Sequence, residues 1–381
     1  MTTRERFLAA LENRKPDRLP VTTHNVMEYY LNTYEGGASK HQFFEKYGMD
    51  EIDWFNPFMP DASAGQYRSD EEQTGYGGIV TDAWRITAAE VPGSEYKTFH
   101  YTVTTPSGVL TMGIQQNQYT RWVSEHLVKA KGDIEIIARH APHFICDTEE
   151  VARHAAAMGE GGMIRSIVPD FDIYGQPGCW QDAAVLVGIE RLILATFDDP
   201  QWVKTLLGIL QRRKIAYLDS MAGAPMDLLE LGGGDASTTV ISPGIFNEFV
   251  APYDAPVIEA AHRAGQRVVY HTCGGMMPIL EDIAAMHPDA METFTPPGMG
   301  ADVDLAEAFR RIGDSVCFIG GFDQGYFFQH STPEETRAEV LRCFDACGRE
   351  GGYIIAPSDH FFDARPALVQ AFAEAARECV Y

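Results

Sequence analysis

Short apolar runs alternate with longer stretches of helical periodicity along most of this chain. Leu19–Thr23, Glu51–Phe55, Met163–Val168, Asp227–Leu231, Arg267–Thr272, Ala290–Phe294, Val316–Gly320 and Tyr353–Ala356 read as strands. They are short, apolar and bounded by turn formers. Helical spacing fills Arg4–Asn13, Lys40–Tyr47, Ala183–Thr196, Pro200–Met221, Gly244–Ala264, Met277–Met286, Leu305–Ile312, Pro333–Gly348 and the stretch after Pro366. Eight strands, each followed by helix, predict an α/β fold of the (β/α)8 TIM-barrel type. A doubly wound sheet would need a phosphate-binding glycine fingerprint after an early strand. Gly232-Gly233-Gly234 comes late and lacks that spacing.

The texture changes between about Gly75 and Val128. Thr98-Phe99-His100-Tyr101-Thr102-Val103 and Pro106-Ser107-Gly108 suggest antiparallel hairpins. This region, about 75–128, reads as a β-rich insertion after the second strand, within a single domain spanning 1–381. Loops at the strand ends are where substrate selectivity usually resides.

In a barrel the site lies where strands end and βα loops begin, and polar residues collect at those places. The first strand ends at His24-Asn25, the fourth at Glu230 followed by Asp235, and the seventh at Asp323-Gln324. The fifth runs into His271-Thr272-Cys273-Gly274-Gly275, the eighth into Ser358-Asp359-His360-Phe361. Strand alternation points His271 and Cys273 to one side. An imidazole and a thiolate converging on one point suit zinc. Asp359 or His360 could supply a third ligand, and Glu230 a fourth ligand or a partner for His271. A structural zinc closes all four positions with protein, whereas a catalytic one keeps one open.

Charge narrows the partners. Thirty basic against fifty-four acidic residues leave a formal charge of −24, the wrong sign for nucleic acid or an anionic membrane. Seven cysteines without regular spacing are no disulfide framework. Cys146, Cys179, Cys317, Cys343, Cys347 and Cys379 are expected as plain buried or surface thiols. No apolar run approaches the ~20 residues of a membrane span, and the first residues lack a signal core. A cytoplasmic protein is the expectation.

Several segments carry a family resemblance. Arg4-Glu5-Arg6-Phe7, Asn13-Arg14-Lys15-Pro16-Asp17-Arg18-Leu19-Pro20-Val21, Ile241-Ser242-Pro243, the His-x-Cys-Gly segment, Gly320-Gly321-Phe322-Asp323 and Thr332-Pro333-Glu334-Glu335 resemble uroporphyrinogen decarboxylase-superfamily proteins. That superfamily uses a (β/α)8 barrel. True uroporphyrinogen decarboxylases carry arginines after the first strand, whereas Thr22–Tyr30 here has none, and arginine is the side chain that clamps carboxylates. The other branch comprises zinc-dependent methyltransferases that work with a corrinoid protein. Its His-x-Cys ligand pair matches His271 and Cys273. Where coenzyme M methyltransferases place a third ligand cysteine, this chain has Asp359.

The resemblance thus implies a methyltransferase moving methyl between a small methoxylated substrate, such as an aryl methyl ether, and the cobalt of a corrinoid protein. Its cofactors would be zinc and a corrinoid (cobalamin) carried by that partner; a homodimer is allowed. Metal ligands are expected among His271, Cys273, Asp359 and Glu230, with Asp359, His360 and Glu230 as catalytic groups. His24, Asn25, Trp54, Asp235, Asp323 and Phe361 are the expected substrate contacts, with Phe55, Phe58 and Phe362 as further aromatic walls. The alternatives are a metal-free decarboxylase of the same fold and a family member that only binds small molecules.

Overall fold

The computed structural model describes residues 1–169 and 171–381. Its centre is a curled, fully parallel sheet of seven strands, adjacent in the order Glu51–Trp54, Gly162–Ile167, Leu228–Gly232, Val268–His271, Ala290–Thr293, Cys317–Phe322 and Tyr353–Pro357. Each matches an apolar run read from the sequence to within about two residues at either end, the usual boundary uncertainty. Strands buried on both faces read as near-continuous apolar runs, and five of these seven are buried at every residue.

The eighth expected strand, Leu19–Thr23, is reduced to a bridged segment. Ile355 N–H donates to Pro20 O (3.0 Å) and Thr22 N–H to Ile355 O (3.0 Å), while Asp50 N–H donates to Val21 O (2.7 Å). The segment therefore bonds beside both edge strands of the sheet. It forms no longer ladder because Pro20 has no N–H to give and Val21 N–H goes instead to the Asp50 carboxylate (2.9 Å). Arg6 and Arg18 hold that buried carboxylate, each at 2.8 Å.

One core cluster contains a residue from every laddered strand: Ile52, Met163, Leu228, Val269, Ala290, Ile319 and Ile354, joined by Phe7, Ala10 and Leu11 of the first helix, Thr3–Leu11. Seven adjacent strands can share one cluster only if the sheet curls around it. Side chains alternate along a strand, so the residue two positions on points the same way. Two positions beyond Ile52, Met163, Leu228, Val269 and Ala290 stand Trp54, Arg165, Glu230, His271 and Glu292. The apolar plug and the polar layer above it are thus consecutive layers of one inward face.

The expected helix Ala183–Thr196 is two helices, Cys179–Val187 and Ile189–Asp198, meeting at Gly188. Its φ of 93° lies outside the helical region, and a Cβ there would sit 3.0 Å from the His126 ring. Gly188→Ala is expected to cost about 1–3 kcal/mol through backbone strain, read as a lower urea midpoint. An unchanged midpoint would mean the joint relaxes freely. The 243–263 region departs from a plain helix too, with a π turn at Phe246–Val250 ahead of Pro252 and Pro256. A proline in a helix offers no N–H, and such a wide turn accommodates it.

A separate four-stranded antiparallel sheet comprises Arg85–Glu90, Lys97–Thr105, Gly108–Gln116 and Arg121–Glu125. Pro106-Ser107 makes the tight turn between paired Thr105 and Gly108. Helices at Glu28–Tyr34, Asp133–His140 and Thr148–Met158 were not read from the sequence. Among the described residues no helix is long and apolar enough to cross a membrane.

Candidate functional site

The polar layer is held together by Arg165. Its side chain is 1% exposed. Nη1 donates to Glu292 Oε2 (2.9 Å), and Nη2 donates to Glu230 Oε2 (2.5 Å) and to Glu292 Oε1. The guanidinium also lies over the Trp54 ring, 4.2 Å from its centroid, where a cation is attracted to the π face. Trp54 Nε1 in turn donates to His24 O (2.9 Å). One buried cation therefore fixes two carboxylates and, through Trp54, the end of the first βα segment.

Glu292 passes this order on. His271 Nδ1 lies 2.9 Å from Glu292 Oε1, and its ring also interacts with the Cys273 side chain. Metal-binding imidazoles usually donate their other N–H to a carboxylate in this way. His24 Nδ1 is buried and stands 3.5 Å from Glu292 Oε2, with no closer hydrogen-bond partner among the described residues. His24 Nε2 is 4.0 Å from Glu230 Oε2. One ligand atom from each of His24, Glu230, His271 and Glu292 lies within 4.8 Å of the others, and His24 forms a second such group with Asp359 and His360. Arg165 engages both oxygens of Glu292 but only Oε2 of Glu230, so His24, Glu230 and His271 are the freer donors of the first group.

The titration behaviour follows from this packing. Burial disfavours the His271 imidazolium, but Glu230, Cys273 and Glu292 more than reverse that and raise its pKa well above the ordinary value. Burial likewise opposes charge on Glu292, yet Arg165 and the two histidines hold it well below the usual carboxylate range. Asp359 is lowered against its burial by His360, His271 and His24. Burial lowers His360, and Asp359 only partly offsets it. Asp235 is raised, again by burial, with Gln181 opposing.

These groups open onto a cavity of about 490 Å³ that His24, Glu230, Asp235, His271, Cys273, Asp359 and His360 all line. A tight glycine position brings Cys273 there: a Cβ on Gly234 would lie 2.6 Å from its Sγ. Cys273 is partly exposed while the other six thiols are buried and free, so it alone is placed for chemistry on the cavity. Cys343 and Cys347 sit at the end of the Pro333–Cys343 helix and in the π turn after it, their sulfurs on backbone carbonyls.

Four expected contacts lie elsewhere. Phe361 is buried between Tyr30 and Phe328, with centroids 4.9 and 5.1 Å away. Asp323 caps the short helix Gln324–Phe327 by accepting from Tyr326 N–H (3.0 Å). Asn25 accepts from Lys40 Nζ (3.2 Å) and faces a second cavity that Tyr29 and Tyr119 share. Trp54 stands behind the site, as the support for Arg165 and His24. Nor do the aromatic walls form: Phe55 stacks on His154, Phe58 on Phe144, and Phe362 meets Tyr119. Among the described residues, no Phe, Tyr or Trp and no Lys or Arg lines the 490 Å³ cavity.

Sequence reasoning missed Arg165 and Glu292, together with the cavity residues Gln176, Gln181, Ser237 and Thr239. A charge inside an otherwise apolar strand, as in Met163-Ile164-Arg165-Ser166-Ile167 and Ala290-Met291-Glu292-Thr293, is the signal that could have found the first two.

Residues 173–379, more than half of the chain, match the Uroporphyrinogen decarboxylase (URO-D) family. The chain belongs to that family. This URO-D family member is 30% identical over 163 residues to the uroporphyrinogen decarboxylase of Pseudoalteromonas translucida, covering 42% of this chain and 43% of that protein. It is also 30% identical over 192 residues to that of Aliivibrio salmonicida, covering 48% and 50%. The chain spans about half the length of the curated relatives it matches. Among solved structures, a methyltransferase from Methanosarcina mazei superposes with a TM-score of 0.64 at 15% identity, covering 99% of both chains. That likeness is one of fold.

Proposed function

We propose that this chain is a zinc-dependent methyltransferase that moves a methyl group between a small methoxylated compound and the cobalt of a corrinoid protein. The observation that carries this reading is that His24, Glu230, His271 and Glu292 converge within reach of one ion, on a cavity that Cys273 and Asp359 also line and that, among the described residues, no Lys or Arg lines. The many carboxylates of a porphyrinogen would find no arginine there to pair with. We take the architecture as a single-domain (β/α)8 barrel with a β-rich insertion at about 75–128, and the whole-length likeness to a methyltransferase fits it.

The donor set suits zinc: an imidazole nitrogen, a thiol sulfur and carboxylate oxygens, with one imidazole already oriented by a carboxylate. His271 and Cys273 would hold the ion, completed by Glu230 or Asp359, and His24 is close enough to join them. When bound, zinc supplies Lewis acidity toward the ether oxygen. In the demethylating direction the methyl carbon passes to cobalt, while the departing oxygen keeps the bonding electrons and takes up a proton. The residues of this chain hold the donors at fixed positions through Arg165 and Glu292. His360, whose ring lies 5.6 Å from that of His24, would carry the proton.

The test is metal analysis joined to a transfer assay on the purified full chain. About one zinc per chain is expected for a single tetrahedral site. The visible spectrum of free cob(I)alamin should change with some member of a panel of methoxy compounds, methylamines and thiols. Full activity in metal-free protein would sink the zinc reading. Decarboxylation of a porphyrinogen without metal would favour the second reading, which the names of the curated relatives support. Binding without any methyl transfer would leave a binding protein.

A further inference from the structure

Beside Cys273 the cavity wall changes character, from metal-binding donors to a set of fixed hydrogen-bonding groups. Asp235 is clamped there. Its carboxylate Oδ2 accepts from Gln181 Nε2 (2.8 Å), its N–H donates to Gln181 Oε1 (2.7 Å), and its carbonyl accepts from Trp180 Nε1 (3.0 Å). These bonds leave Asp235 Oδ1 for a ligand.

Ser237, two residues on, lines the same cavity. It is 1% exposed and its Oγ is buried with no hydrogen-bond partner among the described residues. A buried hydroxyl without a partner costs free energy, so its presence on a cavity wall points to a partner that arrives with a ligand. Thr239 Oγ1 accepts from Gly275 N–H (2.8 Å), which leaves its own proton to donate. Gln176 adds an amide to the same wall.

We propose that Asp235, Ser237, Thr239 and Gln176 form a subsite for the hydroxyl groups of the substrate, so that the methyl donor is a small hydroxylated compound such as a methyl glycoside or a methoxylated polyol. The inference rests on the methyl-transfer reading and narrows it. The mixture of partners selects the ligand class. Asp235 only accepts, Ser237 and Thr239 both give and accept, and the Gln176 amide does both. A hydroxyl also gives and accepts, whereas an ammonium group only gives. An aryl ether would need apolar or aromatic walls, and among the described residues only Val240 brings an aliphatic side chain to this cavity.

Gly234 explains why the subsite and the metal donors act on one ligand. Its missing side chain lets the loop carrying Asp235 press against the Cys273 sulfur, where a Cβ would be 2.6 Å away. The two halves of the cavity are therefore in direct contact.

Calorimetric binding to the zinc-loaded full chain tests this without any cobalamin, so a failure of methyl transfer and a failure of the subsite are read separately. The probes are methyl β-D-xylopyranoside and 2-methoxytetrahydropyran, which share a ring and a methoxy group and differ in ring hydroxyls. Tetramethylammonium is the cationic control. The xyloside is expected to bind at least about tenfold more tightly than its deoxy counterpart, since each unmade polar contact leaves a buried group unpaired. Ser237→Ala and Asp235→Asn are each expected to weaken the xyloside by about tenfold and to leave 2-methoxytetrahydropyran unchanged. Equal binding of the two ring compounds, no binding of the xyloside, or preference for tetramethylammonium overturns the proposal. So does a parallel loss of both ring compounds in the variants, which marks a structural role.

Discussion

Replacing His271 and Cys273 together by alanine is expected to remove bound zinc and, with it, methyl transfer. Four ligands share about 10–16 kcal/mol of apparent zinc affinity, so losing two forfeits on the order of 5 kcal/mol, more than a thousandfold. The variant should remain folded. His271 occupies the polar layer above the apolar plug, and its alanine replacement also takes away one of the groups that pair with Glu292, which keeps Arg165. Zinc content after dialysis, with the melting curve as control, checks both halves. Full zinc occupancy in the double variant would move the site to His24, Asp359 and His360, the other group of converging donors. A His360→Ala variant then separates the two sites, because His360 belongs only to the second group.

Arg165→Leu is expected to cost about 3–5 kcal/mol at neutral pH, because it strands Glu230 and Glu292 as buried charges without their cation. The sign of the pH dependence follows from Glu292. With Arg165 in place its folded pKa is depressed, so its contribution is present above the ordinary carboxylate pKa and is lost as pH falls through the folded value. Without Arg165, burial acts on Glu292 with only His24 and His271 opposing it. The stability gap between wild type and variant should then be widest near pH 7 and narrow toward pH 5 as the stranded Glu292 takes up a proton. Urea denaturation at the two pH values measures it. Adding Glu292→Gln to Arg165→Leu should recover about half of the loss, since one of the two unpaired charges is gone. A loss below about 1 kcal/mol, or a gap that widens in acid, would show that the carboxylates reach water when the guanidinium leaves.

Part of the candidate site was legible because it obeys local rules. His271-Thr272-Cys273 announces itself through alternation at the end of an apolar run, and Glu230 and Asp359 through their places at strand ends. Asp323 and Phe361 stand at equally suggestive places, yet one caps a helix and the other fills an aromatic cluster. Residue type and position along a strand do not distinguish a group that faces the cavity from one consumed by its neighbours. Arg165 and Glu292 escaped notice for the opposite reason. They lie inside apolar runs, where a charge is tolerated only because a partner more than a hundred residues away neutralises it.

By itself the amino-acid sequence determined the seven laddered strands and most of the helices around them, since hydrophobic periodicity is a local property of the chain. It also determined the His-x-Cys pair and the acidic balance that argues against polyanionic partners. Only the tertiary structure decided that Pro20–Thr22 bonds beside both sheet edges, that Arg165 is the hub of the polar layer, and that the aromatics face away from the cavity. These depend on contacts between residues far apart in the chain, and the curl of the sheet, which no local pattern encodes, brings them together.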